Sequence, residues 1–237
     1  MIQDATNQQI KMINKHSPLA GKTVLEIGCG KGRVSRDLAK HATQVIACDP
    51  DASAIAAAQA KNPSANVAFI HTPEGIPPLA KHSVDLVAYT LSLHHVPKEQ
   101  MHSSLQRAGK LLNAAGAILI LEPAEGGSFN EAKNRFGVGS GDERPLIAAA
   151  LTALQTLPGW SLSSAENFMT EYWFANQDDF FTSKLPHFDK LPAERQAEIA
   201  TFLQQHSADN RIVLTSERSL YRLIPSAKGA KLAFKSS

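Results

Sequence analysis

A short aliphatic run ends in three alternating glycines near the start of the chain. Residues 23–29 read TVLEIGC, and glycines stand at positions 28, 30 and 32. The following segment, KGRVSRDLAKHA, places apolar residues at helical spacing. A strand, a glycine-containing turn and a helix in this order form the first half of a parallel βαβ unit. The pattern therefore favours an α/β fold.

The same alternation continues through the first half of the chain. Further strands are predicted at 44–49, 66–71, 84–90 and 117–122. Helices are predicted at 51–61 and after Pro97, and a turn at 113–116. The last of these strands, AILILE, is apolar on both faces, as a central parallel strand must be. We therefore expect a Rossmann-like, doubly wound sheet.

The second half of the chain is less regular. Two more strands are predicted at about 161–174 and 211–224, and the segment 176–208 between them is predicted to be helical. We expect the whole chain, residues 1–237, to form a single domain, with an N-terminal helical segment at 1–22. Residues 176–208 are expected to form a helical cap inserted between the last two strands.

Composition argues against several classes of protein. Of 237 residues, 43% are hydrophobic and 19% charged, and the formal net charge is +2. The basic residues do not cluster on one segment, and the nearest approach is a sparse tail of Lys228, Lys231 and Lys235. Nucleic-acid binding normally requires a clustered basic face, so no nucleic-acid partner is expected.

The chain also lacks signals for a membrane or an oxidising compartment. No apolar run approaches the ~18 residues of a membrane span, and the polar N-terminus does not resemble a signal peptide. The two cysteines, Cys29 and Cys48, lie in apolar strand-like segments and are expected to be reduced and buried. The scattered histidines show no ligand spacing, so no metal site is expected. A cytoplasmic location is the expectation.

The glycine turn and the residue after the next strand suit a nucleoside. Glycine at 28 and 30 lets the backbone turn sharply and approach a ligand without a Cβ in the way. An acidic residue about 20 positions further on, here Asp49, is placed to accept hydrogen bonds from a ribose diol. The spacing is G-x-G-x-G, with Arg33 where the last glycine of the dinucleotide pattern G-x-G-x-x-G would stand. This spacing counts against a nicotinamide oxidoreductase.

Segment 24–122 resembles the class I S-adenosylmethionine-dependent methyltransferases. VLEIGCGKG is similar to the first motif of that family, VIACDPD to its second, and AAGAILILEP to its strand-five motif. LSLHHV resembles the variant found in quinone-biosynthesis methyltransferases and their small-molecule relatives. The resemblance implies a seven-stranded sheet in the order 3-2-1-4-5-7-6 with the last strand antiparallel. It also implies S-adenosylmethionine as cofactor and S-adenosylhomocysteine as product.

The resemblance assigns cofactor-binding residues position by position. In the first motif Glu26 would lie near the methionine end, and the glycine turn would line the cofactor; Asp49 would hold the ribose. The tetrad His71-Thr72-Pro73-Glu74 departs from the usual pattern, in which an aspartate contacts the adenine amine. The implied cofactor-binding set is Glu26, Gly28, Cys29, Gly30, Asp49, Pro50, Thr72, Pro73, Glu74, Thr90 and Leu91.

Three polar residues near the ends of strands have two interpretations each. His94 and His95 follow the fourth strand, where α/β sites gather, and either could take a proton from a nucleophile. A capping or packing role explains a histidine there equally well. Glu122, at the end of the fifth strand, is either a substrate contact or a loop anchor.

The predicted function is methyl transfer to a small molecule, with O, N or C as the nucleophile. Aromatic residues approach the insertion, which suits an apolar or aromatic acceptor, although a packed core would give the same residues. They are Tyr172, Trp173, Phe174, Phe180 and Phe181. The alternatives are a macromolecule methyltransferase, a catalytically silent cofactor-binding protein and an NAD-dependent oxidoreductase. The sequence leaves the oligomeric state open.

Overall fold

A computed structural model describes residues 1–61 and 64–226, so the sparse lysine tail lies outside the described residues. Strands β1 to β9 occupy Ile2–Gln3, Thr23–Ile27, Gln44–Asp49, Val67–His71, Val84–Thr90, Leu112–Pro123, Trp160–Phe174, Ser207–Ala208 and Arg211–Pro225. Helices α1 to α8 occupy Gln8–His16, Arg33–Ala39, Ala52–Ala60, Met101–Gly109, Ser128–Phe136, Arg144–Gln155, Gln177–Lys184 and Ala193–Gln205.

The nine strands of the described part form one sheet, in which eight follow the order β1-β7-β9-β6-β5-β2-β3-β4. Strands β2 to β6 pair in parallel, whereas β9 runs antiparallel to both β6 and β7. The seven predicted strands therefore take the predicted order, with the last one antiparallel. The α/β fold with a Rossmann-like sheet is confirmed.

Two details of the predicted sheet are wrong. The count of seven omits β1, which pairs with β7, and β8, which pairs with β9; each has two residues and carries no periodic signal. The turn predicted at 113–116 lies inside β6. Between the pairs Val84–Leu112 and Leu86–Ala117 the register shifts, so these residues bulge from the ladder without ending the strand.

Apolar side chains form three buried clusters. The first includes Val24 and Leu38 and lies between the sheet and the layer of α1, α2 and α3. The second includes Val87 and Leu105 and lies on the opposite face, against α4 and α6. The continuous apolar strands are buried on both faces, as a doubly wound sheet requires. This arrangement leaves the carboxyl ends of the parallel strands free to form a site.

The insertion 176–208 is helical, as its sequence predicts. Helices α7 and α8 lie between β7 and β9 in the chain, and their apolar residues Phe180, Ile199 and Phe202 join a third cluster with α5. The insertion is therefore packed against the far half of the sheet. Among the described residues, no helix is both long and apolar enough to cross a membrane.

Candidate functional site

The turn after β2 requires glycine at position 28 because another loop packs against it. Gly28 has a φ of +76°, and a Cβ built there would lie 2.4 Å from the Cβ of Ser92. Ser92, which follows β5, is fixed in turn because its Oγ donates to the carbonyl of Ile27 at 2.6 Å. Glycine at this position lets the loops after β2 and β5 meet.

Gly30 is needed for a different reason. Its φ is +52°, and a Cβ built there would have no atom within 4 Å, so the space beside it is open. Its amide nitrogen donates to Oδ2 of Asp49 at 2.7 Å, and the other oxygen of that carboxylate accepts from the amide of Asp51 at 2.9 Å. Asp49 thus holds the glycine turn from the end of β3.

A cleft of about 580 Å³ opens at this edge of the sheet. Its lining includes seven of the residues that the family resemblance assigns to the cofactor. They are Gly28, Gly30, Asp49, Pro50, Pro73, Glu74 and Leu91. These residues follow three neighbouring parallel strands and the turn after β4, which is the position that open α/β sheets use for ligands.

Four predicted cofactor residues are buried and do not line the cleft: Glu26, Cys29, Thr72 and Thr90. Glu26 accepts hydrogen bonds from Ser35 Oγ and Thr90 Oγ1, both at 2.5 Å, and burial raises the pKa of its carboxyl group. Burial also raises the pKa of the Cys29 thiol. In this structure Glu26 braces β2, α2 and β5 behind the cleft.

A second group of cleft residues follows β5 and was not predicted from the sequence. They are Ser92, Val96, Pro97, Gln100, Ser103, Ser104 and Arg107. Three of them, Ser103, Ser104 and Arg107, lie on α4, a helix that the sequence predicts without indicating that it borders a ligand site. The signal available in the sequence was the pair of serines, Ser103 and Ser104, in the first turn of that helix.

His94 is buried and bonded to Glu122. Its Nδ1 contacts Oε2 of Glu122, and its backbone nitrogen donates to Oε1 of the same side chain at 3.2 Å. His94 and Glu122 are 2% and 0% exposed, so the pair is sequestered at the end of β6. Glu122 therefore acts as the anchor of the loop after β5, one of its two predicted interpretations.

His95 is placed differently from its neighbour. Its side chain is 58% exposed, and it lines the cleft. Partial burial, followed by the charge of His94, lowers the pKa of His95 below its ordinary value of 6.5. At neutral pH the imidazole is therefore uncharged and able to accept a proton.

A second, smaller cavity of about 180 Å³ adjoins the cleft. Leu91 and His95 line both spaces, and Leu91 holds a positive φ of 60°, which is uncommon for a residue with a branched side chain. The remaining lining residues are Gln3, His94, Pro123, Phe129, Lys133, Gly139, Ser140, Glu143, Tyr172, Lys184 and Arg218. We call this space the inner cavity.

Of the five aromatic residues predicted to approach the acceptor, only Tyr172 lines the inner cavity. Its ring stacks on Phe129 with the centroids 4.1 Å apart. Phe174 and Phe180 are buried in the third apolar cluster, so for them the packing interpretation holds. From the insertion, only Lys184 lines the inner cavity.

One group of side chains has a geometry compatible with a metal ion, although none was expected from the sequence. Ligand atoms of His94, His95 and Glu143 all lie within 4.8 Å of one another. Lys133 Nζ contacts Oε2 of Glu143 at 2.6 Å. Burial alone would raise the pKa of Glu143, but this ammonium outweighs it and the pKa is lowered. The carboxylate is thus already paired with a cation.

Comparison with known proteins shows that part of the chain is similar to methyltransferases. The family model described as a methyltransferase domain matches residues 24–116. An uncharacterised methyltransferase of Mycobacterium tuberculosis is 30% identical over 104 residues, which is 44% of this chain and 52% of the relative. A tRNA N(3)-cytidine methyltransferase of Danio rerio is 28% identical over 130 residues, 51% of this chain and 36% of the relative.

Solved structures agree on the fold. A SAM-dependent methyltransferase from Aquifex aeolicus superposes with a TM-score of 0.50 at 16% identity, covering 70% of this chain and 92% of that one. At this identity the likeness concerns the fold alone. The chain spans about half the length of the first curated relatives it matches.

Proposed function

We propose that this chain is a class I S-adenosylmethionine-dependent methyltransferase, and that it transfers a methyl group from S-adenosylmethionine to a small molecule. One observation carries the proposal. The cleft at the carboxyl ends of β2, β3 and β5 brings an open glycine turn and an acidic strand end together beside a second, smaller cavity. Two adjoining spaces of this kind suit a donor and an acceptor.

The residues of the cleft fit the donor. The space beside Gly30 would admit the cofactor, because no atom lies within 4 Å of a Cβ built there. Asp49 would accept from the ribose hydroxyls, since each carboxylate oxygen has used only one lone pair on a backbone amide. Pro50, Pro73 and Glu74 would border the adenine.

Methyl transfer requires little from the protein beyond alignment of the methyl donor and the acceptor. When bound, S-adenosylmethionine supplies a methyl group on a sulfonium sulfur. The acceptor's lone pair would form the new bond to the methyl carbon, and the electron pair of the broken C–S bond would remain on sulfur. The protein must hold the acceptor in line and keep water out. Leu91 and His95 stand where the two spaces meet, so they would contact both reactants.

His95 is the residue best suited to remove a proton from the acceptor. Its ring is uncharged at neutral pH and lines the inner cavity. His94 would act through it as a positioning residue, because Glu122 holds His94 and the two imidazole centroids are 4.0 Å apart. The released proton would pass from His95 to solvent through its exposed side.

The size of the inner cavity supports a small acceptor. At about 180 Å³ it is below the ~300–1,000 Å³ of common ligand clefts, and Lys184 of the insertion lines it. We propose that the insertion 176–208 caps this cavity. A macromolecule methyltransferase, as the Danio rerio relative is named, would need an open surface instead.

Binding and transfer can be tested separately. Thermal shift and calorimetry with S-adenosylmethionine, S-adenosylhomocysteine and NAD should show binding of the first two only. A screen of small molecules with a labelled methyl donor should then show transfer. Binding of NAD in place of S-adenosylhomocysteine would overturn the proposal, and label incorporated only into tRNA or protein would redirect it to a macromolecular acceptor.

A further inference from the structure

Arg218 is a buried cation without a matching anion. It lies on β9, is 4% exposed and lines the inner cavity. Its Nη2 donates to the hydroxyl of Tyr172 at 2.8 Å, and its Nε is buried without a partner. Within residues 1–61 and 64–226, no carboxylate forms an ion pair with it. A guanidinium desolvated in this way costs stability unless something compensates its charge.

The Tyr172 hydroxyl offers an unused hydrogen-bond donor beside Arg218. Its oxygen accepts from Arg218 and also from Nε2 of Gln3 at 3.1 Å. Because these bonds use both lone pairs, the phenol O–H remains free to donate, and the structure gives it no acceptor in the described part of the chain. Tyr172 is 4% exposed and lines the inner cavity, so its hydroxyl is shielded from bulk water.

Lys184 adds a second unmatched charge. It comes from the end of α7, and its Nζ lies 5.5 Å from the ring centroids of both Phe129 and Tyr172. No carboxylate of the described ranges forms an ion pair with it. Burial, together with the charges of Lys133 and Arg218, lowers the pKa of Lys184.

The neighbouring groups of the inner cavity have partners. Lys133 is paired with Glu143, and Glu122 contacts His94. Arg218 and Lys184 are therefore the cations lining the cavity that have no carboxylate partner among the described residues. Their unsatisfied groups are all hydrogen-bond donors. An uncharged apolar acceptor would leave both cations desolvated, and a metal ion at His94, His95 and Glu143 would compete with Lys133 for the Glu143 carboxylate.

We propose that the methyl acceptor carries a carboxylate or phosphate group, and that Arg218, Lys184 and Tyr172 bind this group in the inner cavity. This inference rests on the proposed function, because only a methyltransferase would use the bound anion as a methyl acceptor. The arginine fork and the phenol donor match the oxygen atoms of such an anion. Anchoring there would leave the rest of the acceptor beside Leu91 and His95, where the inner cavity meets the cofactor cleft.

Anion binding is measured first, without any cofactor. The full-length protein is titrated with inorganic phosphate, with benzoate and with uncharged methyl benzoate, at an ionic strength held constant with sodium chloride. We expect a saturable rise in Tm with benzoate or phosphate and none with methyl benzoate. The stronger of the two responses distinguishes a carboxylate site from a phosphate site.

Three variants locate the binding. Arg218→Met and Lys184→Met should each weaken anion binding at least tenfold. Arg211→Met is the matched control, because Arg211 lies on the same strand over Trp173, 4.5 Å from the ring centroid, and does not line the inner cavity. We expect it to bind the anion as the unmodified chain does. The Tm of ligand-free Arg218→Met should equal or exceed that of the unmodified chain, since an uncompensated buried charge is removed.

A parallel titration with S-adenosylhomocysteine separates the two proposals. Binding of S-adenosylhomocysteine without any saturable anion binding would overturn this inference and leave the proposed function standing. Anion binding that Arg218→Met and Lys184→Met leave unchanged would also overturn it. Anion binding without any affinity for S-adenosylhomocysteine would instead overturn the proposed function.

Discussion

The amide of Gly30 donates to Oδ2 of Asp49 across 2.7 Å, which ties the turn after β2 to the end of the neighbouring strand β3. The bond fixes the carboxylate at the mouth of the cleft before any ligand arrives. It also holds the glycine turn in the shape that leaves the space beside Gly30 open. The same residue thus shapes the cleft and offers its remaining lone pairs to a ligand.

Asp49→Ala should weaken binding of S-adenosylhomocysteine. Hydrogen bonds to a charged group contribute about 1.5–3 kcal/mol, so the loss should be roughly 10- to 100-fold in Kd. Calorimetry measures it directly. Asp51→Asn is the control, because Asp51 is exposed and caps α3 through Ser53 and Ala54, and asparagine is an equally good N-cap. Unchanged affinity in Asp49→Ala would contradict the assignment of Asp49 to the ribose.

The three glycines at 21, 28 and 30 should respond differently to alanine. All have positive φ, so each substitution carries a similar backbone cost of about 1 kcal/mol. A Cβ at Gly28 also collides with Ser92, whereas a Cβ at Gly21 or Gly30 meets nothing within 4 Å. Thermal denaturation should therefore show the largest loss of Tm in Gly28→Ala.

Binding should separate the other two glycines. Gly30→Ala, and more strongly Gly30→Val, should weaken S-adenosylhomocysteine because the side chain enters the cleft. Gly21→Ala should leave affinity unchanged, since Gly21 does not line that space. If all three variants lost affinity in proportion to Tm, the glycines would serve only the fold.

The cofactor half of the site could be predicted because its determinants are local in sequence. Gly28, Gly30 and Asp49 lie within one strand-turn-helix-strand unit, and their spacing fixes where they meet. Burial of Glu26 and Thr90 behind the cleft could not be read in this way, because it depends on Ser35 of α2 and on the pairing of β2 with β5. Motif membership placed these side chains near the ligand without saying on which side of the backbone they lie.

The inner cavity depends on pairs that are distant in sequence. Arg218 and Tyr172 meet through the antiparallel register of β7 and β9, and Lys184 arrives from the insertion. A signal for Arg218 was present, because it falls in phase with the buried residues Ile212, Leu214 and Ser216. A charged residue at an inward position of a strand is the observation that would have indicated a site.

His94→Ala should destabilise the protein, because it leaves the Glu122 carboxylate buried without its imidazole partner. Breaking a buried pair from one side costs about 3–5 kcal/mol. Chemical denaturation measures the change, and Glu122→Gln together with the double variant completes a double-mutant cycle. A coupling energy near zero would mean that the two side chains contribute independently.

Trimming 176–208 to a short linker tests the predicted cap. We expect methyl transfer to be abolished and binding of S-adenosylhomocysteine to be largely retained, since no residue of the insertion lines the cofactor cleft. Because Phe180, Ile199 and Phe202 pack against α5, Tm should fall as well. Equal losses of cofactor binding and turnover would show that the segment belongs to the core instead.

The pH dependence of turnover tests His95. His94, Glu143, Glu122 and Lys133 act electrostatically on this ring, and partial burial followed by His94 lowers its pKa below 6.5. Only the neutral imidazole accepts a proton, and kcat/KM reports the groups of the free enzyme, so kcat/KM should rise with pH through a midpoint below 6.5 and then stay level. His95→Ala should remove this limb and lower kcat by roughly 10²–10⁴-fold, with little change in affinity for S-adenosylhomocysteine. His41→Ala is the control, because His41 is exposed in the turn after α2 and lines neither space. If His95→Ala kept both the acidic limb and the full rate, the proton would leave by another route and His95 would only help to separate the two spaces.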